Sequence, residues 1–550
     1  MLSLFQKLKS GFALLACGVL ASCMSIPASG NPVIDAPVGQ IVGRQAGDLA
    51  VFKGIPYAQA PVGDLRWKPP VAVTQLDGTL DAGAFSDSCV QPSREGTVYS
   101  WGINSMSEDC LSLNIWAPKD AENAPVFVWI YGGALVTGTS AAPLYDGAEL
   151  ARRGMVVVSI NYRVGILGYM AHPELSAESA DGISGNYGLQ DQIAALQWIN
   201  RNISSFGGDS GNVTIAGESA GALSAMYLLA SPEARGLFHK AIAQSAYMIS
   251  TPALREAVHG WPSAEDHGVQ IGAALDAPTL ADLREMDARE LSAQSIEAGF
   301  GPWGVVDGKY LKEQLFDTFQ RGEQAQVPIL AGFNSGEIRS LRYLLPPPPS
   351  GRDEYEETIR SRYGDLADEF LRLYPSSDIE ESMLATTRDA LYGWTSERLA
   401  RSHSVIGQNA YLYLWDHGYP EADNQGYHAF HGSELPYVFG TMQRVSRLWP
   451  KPRRSAAEAD LTRAIGDYWA SFAATGEPVS EGHPDWLPFA NGTAFMVFED
   501  QPRMVARLFP GMFELHEAAV CRRRLAGNIL WGWNTGLASP VLPEGGQGCQ

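Results

Sequence analysis

Short apolar runs recur along the chain, separated by longer stretches with helical spacing. Val126-Phe127-Val128-Trp129-Ile130 and the runs at 155–160 and 213–216 are continuously apolar rather than alternating. That pattern predicts strands buried on both faces. The runs at 327–332 and 410–415 read the same way. Between them, Ile193, Leu196, Ile199 and Ile203 recur at helical spacing, predicting a helix from Leu189 to Ile203. The alternation predicts an α/β fold, a large and mostly parallel sheet covered by helices on both faces. In such sheets ligands bind beyond the carboxyl ends of the strands, so chemistry is expected in the loops that follow strands.

Neither an internal repeat nor a Ser/Gly linker divides the chain, and a single domain is expected over 38–550. Leu345-Pro346-Pro347-Pro348-Pro349-Ser350-Gly351 reads as a stiff surface loop. Ahead of the domain, Lys7 and Lys9 precede a short apolar segment from Gly11 to Ala21, the make-up of a secretory leader over 1–22. The leader ends Leu20-Ala21-Ser22-Cys23, which resembles a bacterial lipobox and makes Cys23 the expected lipidation site, followed by a tether over 23–37. Cleavage of an ordinary signal near Ala28-Ser29 is the alternative. Export permits disulfides. Cys89, Cys110, Cys521 and Cys549 remain in the mature chain and allow three pairings; Cys89 and Cys110 are close enough to staple one loop.

Forty Lys and Arg stand against 61 Asp and Glu, a net charge of −21 in 550 residues. So acidic a body is unsuited to nucleic acid or an anionic membrane surface, which leaves the N-terminal lipid as the expected membrane contact. No spacing in the chain suits a metal or a nucleotide, and no cofactor is expected.

Gly217-Glu218-Ser219-Ala220-Gly221 follows the apolar run at 212–216 and precedes a helix-compatible stretch. A serine hydroxyl is a poor nucleophile at neutral pH. A sharp strand-to-helix turn exposes it to a base and to backbone N–H donors, and the flanking glycines let strand and helix meet. Ser219 is therefore the candidate nucleophile. Glu337, after a predicted strand, and His431, beyond Trp415, supply an acid and a base in the chain order of α/β-hydrolases. Asp389 and Asp416 compete for the acid's place, and His417 and His428 for the base's.

Several longer motifs narrow these choices. Ser107-Glu108-Asp109-Cys110-Leu111-Ser112-Leu113-Asn114, Asn161-Tyr162-Arg163-Val164-Gly165 and Gly185-Asn186-Tyr187-Gly188-Leu189-Gln190-Asp191-Gln192 are among those that resemble signatures of type-B carboxylesterases, a likeness running from about Val38 to Trp531. The resemblance implies the α/β-hydrolase fold with loop and helical insertions over the site. It places the family's acid at Glu337, in Gly332-Phe333-Asn334-Ser335-Gly336-Glu337, and its histidine at His431, in His431-Gly432-Ser433-Glu434-Leu435. It also implies an oxyanion hole built from the N–H groups of Gly133, Ala134 and Ala220. The family more often reads Gly-Gly-Gly-Phe where this chain has Gly132-Gly133-Ala134-Leu135. Trp101, in the loop between Cys89 and Cys110, and Glu218, beside the nucleophile, are the candidate substrate-contacting side chains. The expected substrate is a small soluble ester. Two other classes share the architecture: binding relatives that have lost the serine, and amidases or lipases that use the same triad.

Overall fold

The computed structural model describes residues 30–550 apart from 94, 95, 101, 104, 491–493, 508, 547, 548 and 550. The expected leader and Cys23 lie outside the described residues. The folded chain starts before the expected boundary at 38: Val33–Ala36 pairs antiparallel with Gly39–Val42, and burial of Val38 and Ile41 anchors the hairpin.

The core is an 11-stranded sheet. In chain order its strands are β1 (Arg44–Ala46), β2 (Leu49–Pro56), β3 (Ser112–Pro118), β4 (Ala124–Ile130), β5 (Val156–Ile160) and β6 (Gly208–Glu218). Then come β7 (Lys240–Gln244), β8 (Ile329–Asn334), β9 (Ala410–Trp415), β10 (Phe495–Phe498) and β11 (Pro502–Val505). The spatial order is β11-β10-β9-β8-β7-β6-β4-β5-β3-β2-β1. From β5 to β10 neighbouring strands are parallel, and antiparallel strands finish both edges. Every residue of β5, β7, β8 and β9 is buried, as the continuous apolar runs require of strands covered on both faces.

Strand β8 starts two positions later than its apolar run. Pro328 has no N–H to give a neighbouring strand, and it serves the sheet only as an acceptor, from the Ala241 N–H. The strand instead continues through Phe333 and Asn334, paired with Leu414 and Trp415. Helix α1 (Tyr187–Asn202) takes the predicted place, with Ile193, Leu196 and Ile199 buried. Helix α2 (Ala220–Ala230) is buried on all sides. Helix α3 (Trp394–Val405) packs on β8 and β9. Helix α4 (Ala456–Thr475) opens with the Ser455 hydroxyl accepting from the Glu458 N–H, and stops at Gly476, whose φ of 83° is the left-handed conformation suited to glycine. Helix α5 (Met512–Ala526) is tied to the C-terminus by a Cys521–Cys549 disulfide.

One consequence of strand order positions the site. The chain passes from β4 to β5 on one side, then crosses back to β6 on the other, so the carboxyl ends of β4 and β6 open a crevice where the order reverses. Gly217 of β6 sits opposite Ile130 of β4. The loops that follow these two strands therefore face each other.

Candidate active site

Ser219 stands between β6 and α2 with φ 57° and ψ −122°, a conformation a non-glycine residue adopts only when its surroundings enforce it. The flanking glycines are obligatory in size. A Cβ on Gly217 would lie 2.4 Å from the Gly221 carbonyl group, and one on Gly221 would lie 2.1 Å from the Ile130 carbonyl oxygen. The Ser219 N–H is tied to the Gln244 carbonyl at 2.9 Å. Its hydroxyl has no hydrogen-bond partner among the described residues, and the residue lines a cavity of about 510 Å³.

The candidate acid and the candidate histidine come from adjacent loops. Glu337 opens the turn after β8 and is fully buried; its Oε1 accepts from the Asn334 N–H at 2.9 Å, and its Oε2 is hydrogen-bonded to His431 Nδ1. The Gly336 N–H donates to the Ala429 carbonyl at 2.9 Å, which pins the acid's loop to the histidine's. The other His431 nitrogen, Nε2, lies 3.0 Å from Glu218 Oε1. No hydrogen bond joins it to Ser219; such bonds tighten when substrate binds.

Two buried carboxyl groups, Glu337 and Glu218, thus contact one imidazole, and the charge of a third, Glu434, also acts on it. Burial disfavours the imidazolium, yet the charges of Glu218 and Glu337 outweigh it and push the His431 pKa up to about 9. Burial also drives the Glu218 carboxyl well above the usual carboxylate range, against the attraction of His431. Glu434 had no role in the sequence reading, although it lies in the histidine's own motif. It accepts from Gln244 Nε2 at 2.9 Å and from Asn334 Nδ2 at 2.7 Å, and Trp469 Nε1 in turn donates to Gln244 Oε1 at 3.0 Å. Asn334 ties this network to both loops, donating Nδ2 to the Phe430 carbonyl at 2.8 Å and its backbone N–H to Glu337.

The loop after β4 closes the other side. Gly133, Ala134 and Leu135 all have positive φ, of 119°, 60° and 57°. Gly132 lets the loop approach Ser219, since a Cβ there would meet the Glu218 carbonyl oxygen at 2.6 Å, Glu218 Oε2 at 3.0 Å and Ser219 Cβ at 3.1 Å. Among the described residues nothing accepts a hydrogen bond from the Gly133 or Ala134 N–H. Ala220 is the first residue of α2, where an N–H has no acceptor four residues back. Gln91, unmarked in the sequence reading, braces the loop from buried ground: its Nε2 donates to the Gly138 carbonyl and its Oε1 accepts from the Gly138 N–H, both at 2.7 Å. The Cys89–Cys110 disulfide holds the segment that carries Gln91.

The competing residues are occupied elsewhere. His428 lies 3.0 Å from both Asp416 and Asp423, His417 contacts Glu458, and Asp389 pairs with Arg388. Trp101 falls outside the described residues. The cavity wall is aromatic, with Tyr99, Tyr247, Trp261, Trp303, Tyr392 and Trp533, and among its described lining residues His431 is the one basic side chain. No group of three or more His, Cys, Asp or Glu among the described residues is arranged to hold a metal ion.

Residues 30–511 match the model of the carboxylesterase family. The chain belongs to that family. As a carboxylesterase it is a carboxylic ester hydrolase of the α/β-hydrolase fold. This carboxylesterase is 36% identical over 469 residues to the fumonisin B1 esterase of Sphingopyxis macrogoltabida, covering 83% of this chain and 84% of that one. It is 34% identical over 466 residues to the para-nitrobenzyl esterase of Bacillus subtilis (strain 168), covering 82% and 91%. Among solved structures it is similar to a thermophilic PNB esterase, with a TM-score of 0.76 and 29% identity over 88% of this chain and all of that one. A Geobacillus stearothermophilus carboxylesterase gives a TM-score of 0.73 at 30% identity, over 88% and 99%.

Proposed function

We propose that this carboxylesterase hydrolyses small soluble esters through an acyl-enzyme on Ser219, with His431 as base and acid and Glu337 as its orienting carboxylate. The observation that carries the reading is the meeting, on one cavity wall, of an unpartnered serine hydroxyl, a carboxylate-backed imidazole and the N–H groups of Gly133 and Ala134. Ser219 Oγ adds to the ester carbonyl while its proton passes to His431 Nε2, and the oxyanion forms against the N–H groups of Gly133, Ala134 and Ala220. The imidazolium then gives its proton to the departing alcohol oxygen. Water gives a proton to the same nitrogen as it adds to the acyl-enzyme, and the imidazolium returns that proton to Ser219 Oγ as the carboxylic acid leaves. Glu337 holds Nδ1 so that Nε2 faces the reaction throughout, and Glu218 places a second acidic group beside the charge that develops on the ring.

An aromatic cavity with no lysine or arginine among its described lining residues suits an uncharged acyl group. The Ala134 methyl, on a residue where glycine is more usual, crowds the oxyanion side and disfavours esters of tertiary alcohols. Matched ester and amide substrates test the reading. Ser219→Ala should lower ester kcat on the order of a million-fold. An amide turned over as fast as its ester would place the enzyme among amidases.

The compartment belongs to the same proposal. Lipidation at Cys23 would remove Lys7 and Lys9 and leave 38 − 61 = −23, so attachment would rest on acyl chains rather than headgroup charge. No helix among the described residues is long and apolar enough to cross a membrane. Cys23→Ser should shift the protein out of the membrane fraction or block its processing; an unmodified mature N-terminus near Gly30 would contradict the anchor.

A further inference from the structure

Ser335 stands two residues before Glu337, and three contacts hold it. Its N–H donates to the Trp415 carbonyl at 2.9 Å, its carbonyl accepts from Arg388 Nη1 at 3.1 Å, and its hydroxyl donates to Asp416 Oδ1. Asp416 directly follows β9, and the same Oδ1 lies 3.0 Å from His428 Nε2. The other nitrogen of that ring, Nδ1, lies 3.0 Å from Asp423 Oδ1. His428 thus stands between two carboxylates, on the loop that carries His431 three positions later. A chain of side chains runs from the histidine's loop through Asp416 to the acid's turn.

The local backbone is shaped around this ring. The φ of His428 is 50°, a left-handed conformation that costs any residue with a Cβ. Gly418 leaves the ring its space, since a Cβ there would lie 2.1 Å from His428 Nδ1 and 2.6 Å from Asp423 Oδ1. An imidazolium donates from both nitrogens, whereas the neutral ring would turn a lone pair toward one of the two carboxylates. The hydrogen bond to Asp416, joined by that to Asp423, outweighs burial and holds the His428 pKa above its ordinary 6.5. Burial works against the Asp416 carboxylate, but its hydrogen bonds to His428 and Ser335 keep it below the usual range. Asp416 and Asp423 are the charged groups that face His428; Arg388 and the Glu499–Arg503 pair of the β10–β11 hairpin are the further charges that bear on Asp416. The ring is partly exposed, so bulk pH reaches it.

We propose that His428, as an imidazolium bridging Asp416 and Asp423, is a positioning residue that clamps the turn of Glu337 to the loop of His431. It is not among the described residues that line the catalytic cavity, so it acts through Ser335 rather than on the substrate. The inference rests on the ester-hydrolase reading above. The hydrogen bond from the Gly336 N–H to the Ala429 carbonyl already joins the two loops and does not titrate; His428 adds the part that does. Its sign follows from the direction of the pKa. A histidine whose partners raise its pKa holds them fully below the ordinary value and releases them as pH climbs through the raised one. The clamp is therefore complete in mild acid and is lost on the alkaline side.

The test is kcat for one soluble ester at saturation, from about pH 6 to about pH 10, in the wild type, His428→Asn, Ser335→Ala and the double variant. Asparagine tolerates the left-handed φ and puts a neutral amide where the imidazolium was. At the acid end of the range each single variant should lose about ten-fold in kcat with KM nearly unchanged, because a small misplacement of the orienting carboxylate slows chemistry rather than binding. The ratio of wild type to His428→Asn should then shrink toward one as the pH rises and the wild-type ring loses its proton. The titration of His431, common to both enzymes, cancels from that ratio. The double variant should be no slower than the slower single one, since both changes break the same clamp. Ser335→Ala, the milder change, keeps the test open if His428→Asn fails to fold, and its ratio should shrink in the same direction. A ratio that stays constant with pH, full activity in both single variants at the acid end, or losses that multiply in the double variant would overturn the clamp and leave ester hydrolysis standing. Ester turnover that survives Ser219→Ala would sink the underlying function instead.

Discussion

The two sides of the site are built from different materials. On the histidine side, geometry is held by side chains: Glu337 and Glu218 flank the imidazole, and Glu434, Gln244, Asn334 and Trp469 form a buried hydrogen-bonded network tied to its loop. On the side of the proposed oxyanion hole it is held by backbone: consecutive residues at positive φ, a glycine too close to Ser219 to carry a Cβ, and the bracing amide of Gln91. The first side is a cluster of titratable groups in a low-dielectric setting, where each charge alters its neighbours' protonation. The second is a set of fixed dipoles that pH does not change but volume does. Damage to the two sides should therefore be separable by its pH signature.

The largest expected effect lies on the histidine side. Glu337→Gln removes the carboxylate that orients His431 Nδ1 and should cost about 10⁴-fold in kcat with the fold intact. Near-normal turnover would move the acid elsewhere. Next comes the oxyanion side: Gly132→Ala should push the loop off Ser219 and lower kcat about 100-fold, as loss of an oxyanion donor does. Its Cβ would also lie 3.0 Å from Glu218 Oε2, so the pH profile should move, but by less than in Glu218→Gln, and an equal shift would show that the loop acts on His431 as strongly as the carboxylate does. The smallest effect is the most discriminating. The Glu218 carboxylate favours the imidazolium, so its replacement by a neutral amide lowers the His431 pKa. Because the base must be unprotonated to take the serine proton, the rising limb of kcat/KM in Glu218→Gln should move to lower pH by about one unit. A limb that stayed or moved upward would contradict the charge coupling.

What could be read from the sequence follows from how local each device is. Ser219 and Glu337 sit in short motifs just after strands that the apolar runs identify, whereas His431 lies well beyond the strand ending at Trp415, and the family resemblance rather than strand position chose Glu337 and His431 over their competitors. Glu434 was within reach too, three positions from His431, but its role depends on Gln244 and Asn334 from two other strands. Gln91 gave no signal, since a lone glutamine in a loop is as often solvated as buried. The specificity wall was the least legible part. Trp261, Trp303, Tyr392 and Trp533 come from segments more than 270 residues apart in their extremes, 261 to 533, and only closure of the fold brings their rings together.

The central claim is that both sides converge on one activated hydroxyl. Treating the enzyme with an organophosphonate and mapping the adduct by peptide mass spectrometry tests this most directly. The account predicts a single phosphonyl group on Ser219, formed in parallel with loss of esterase activity and formed far more slowly in both Glu337→Gln and Gly132→Ala. An active enzyme that takes no label, or takes it on a different residue, would contradict it.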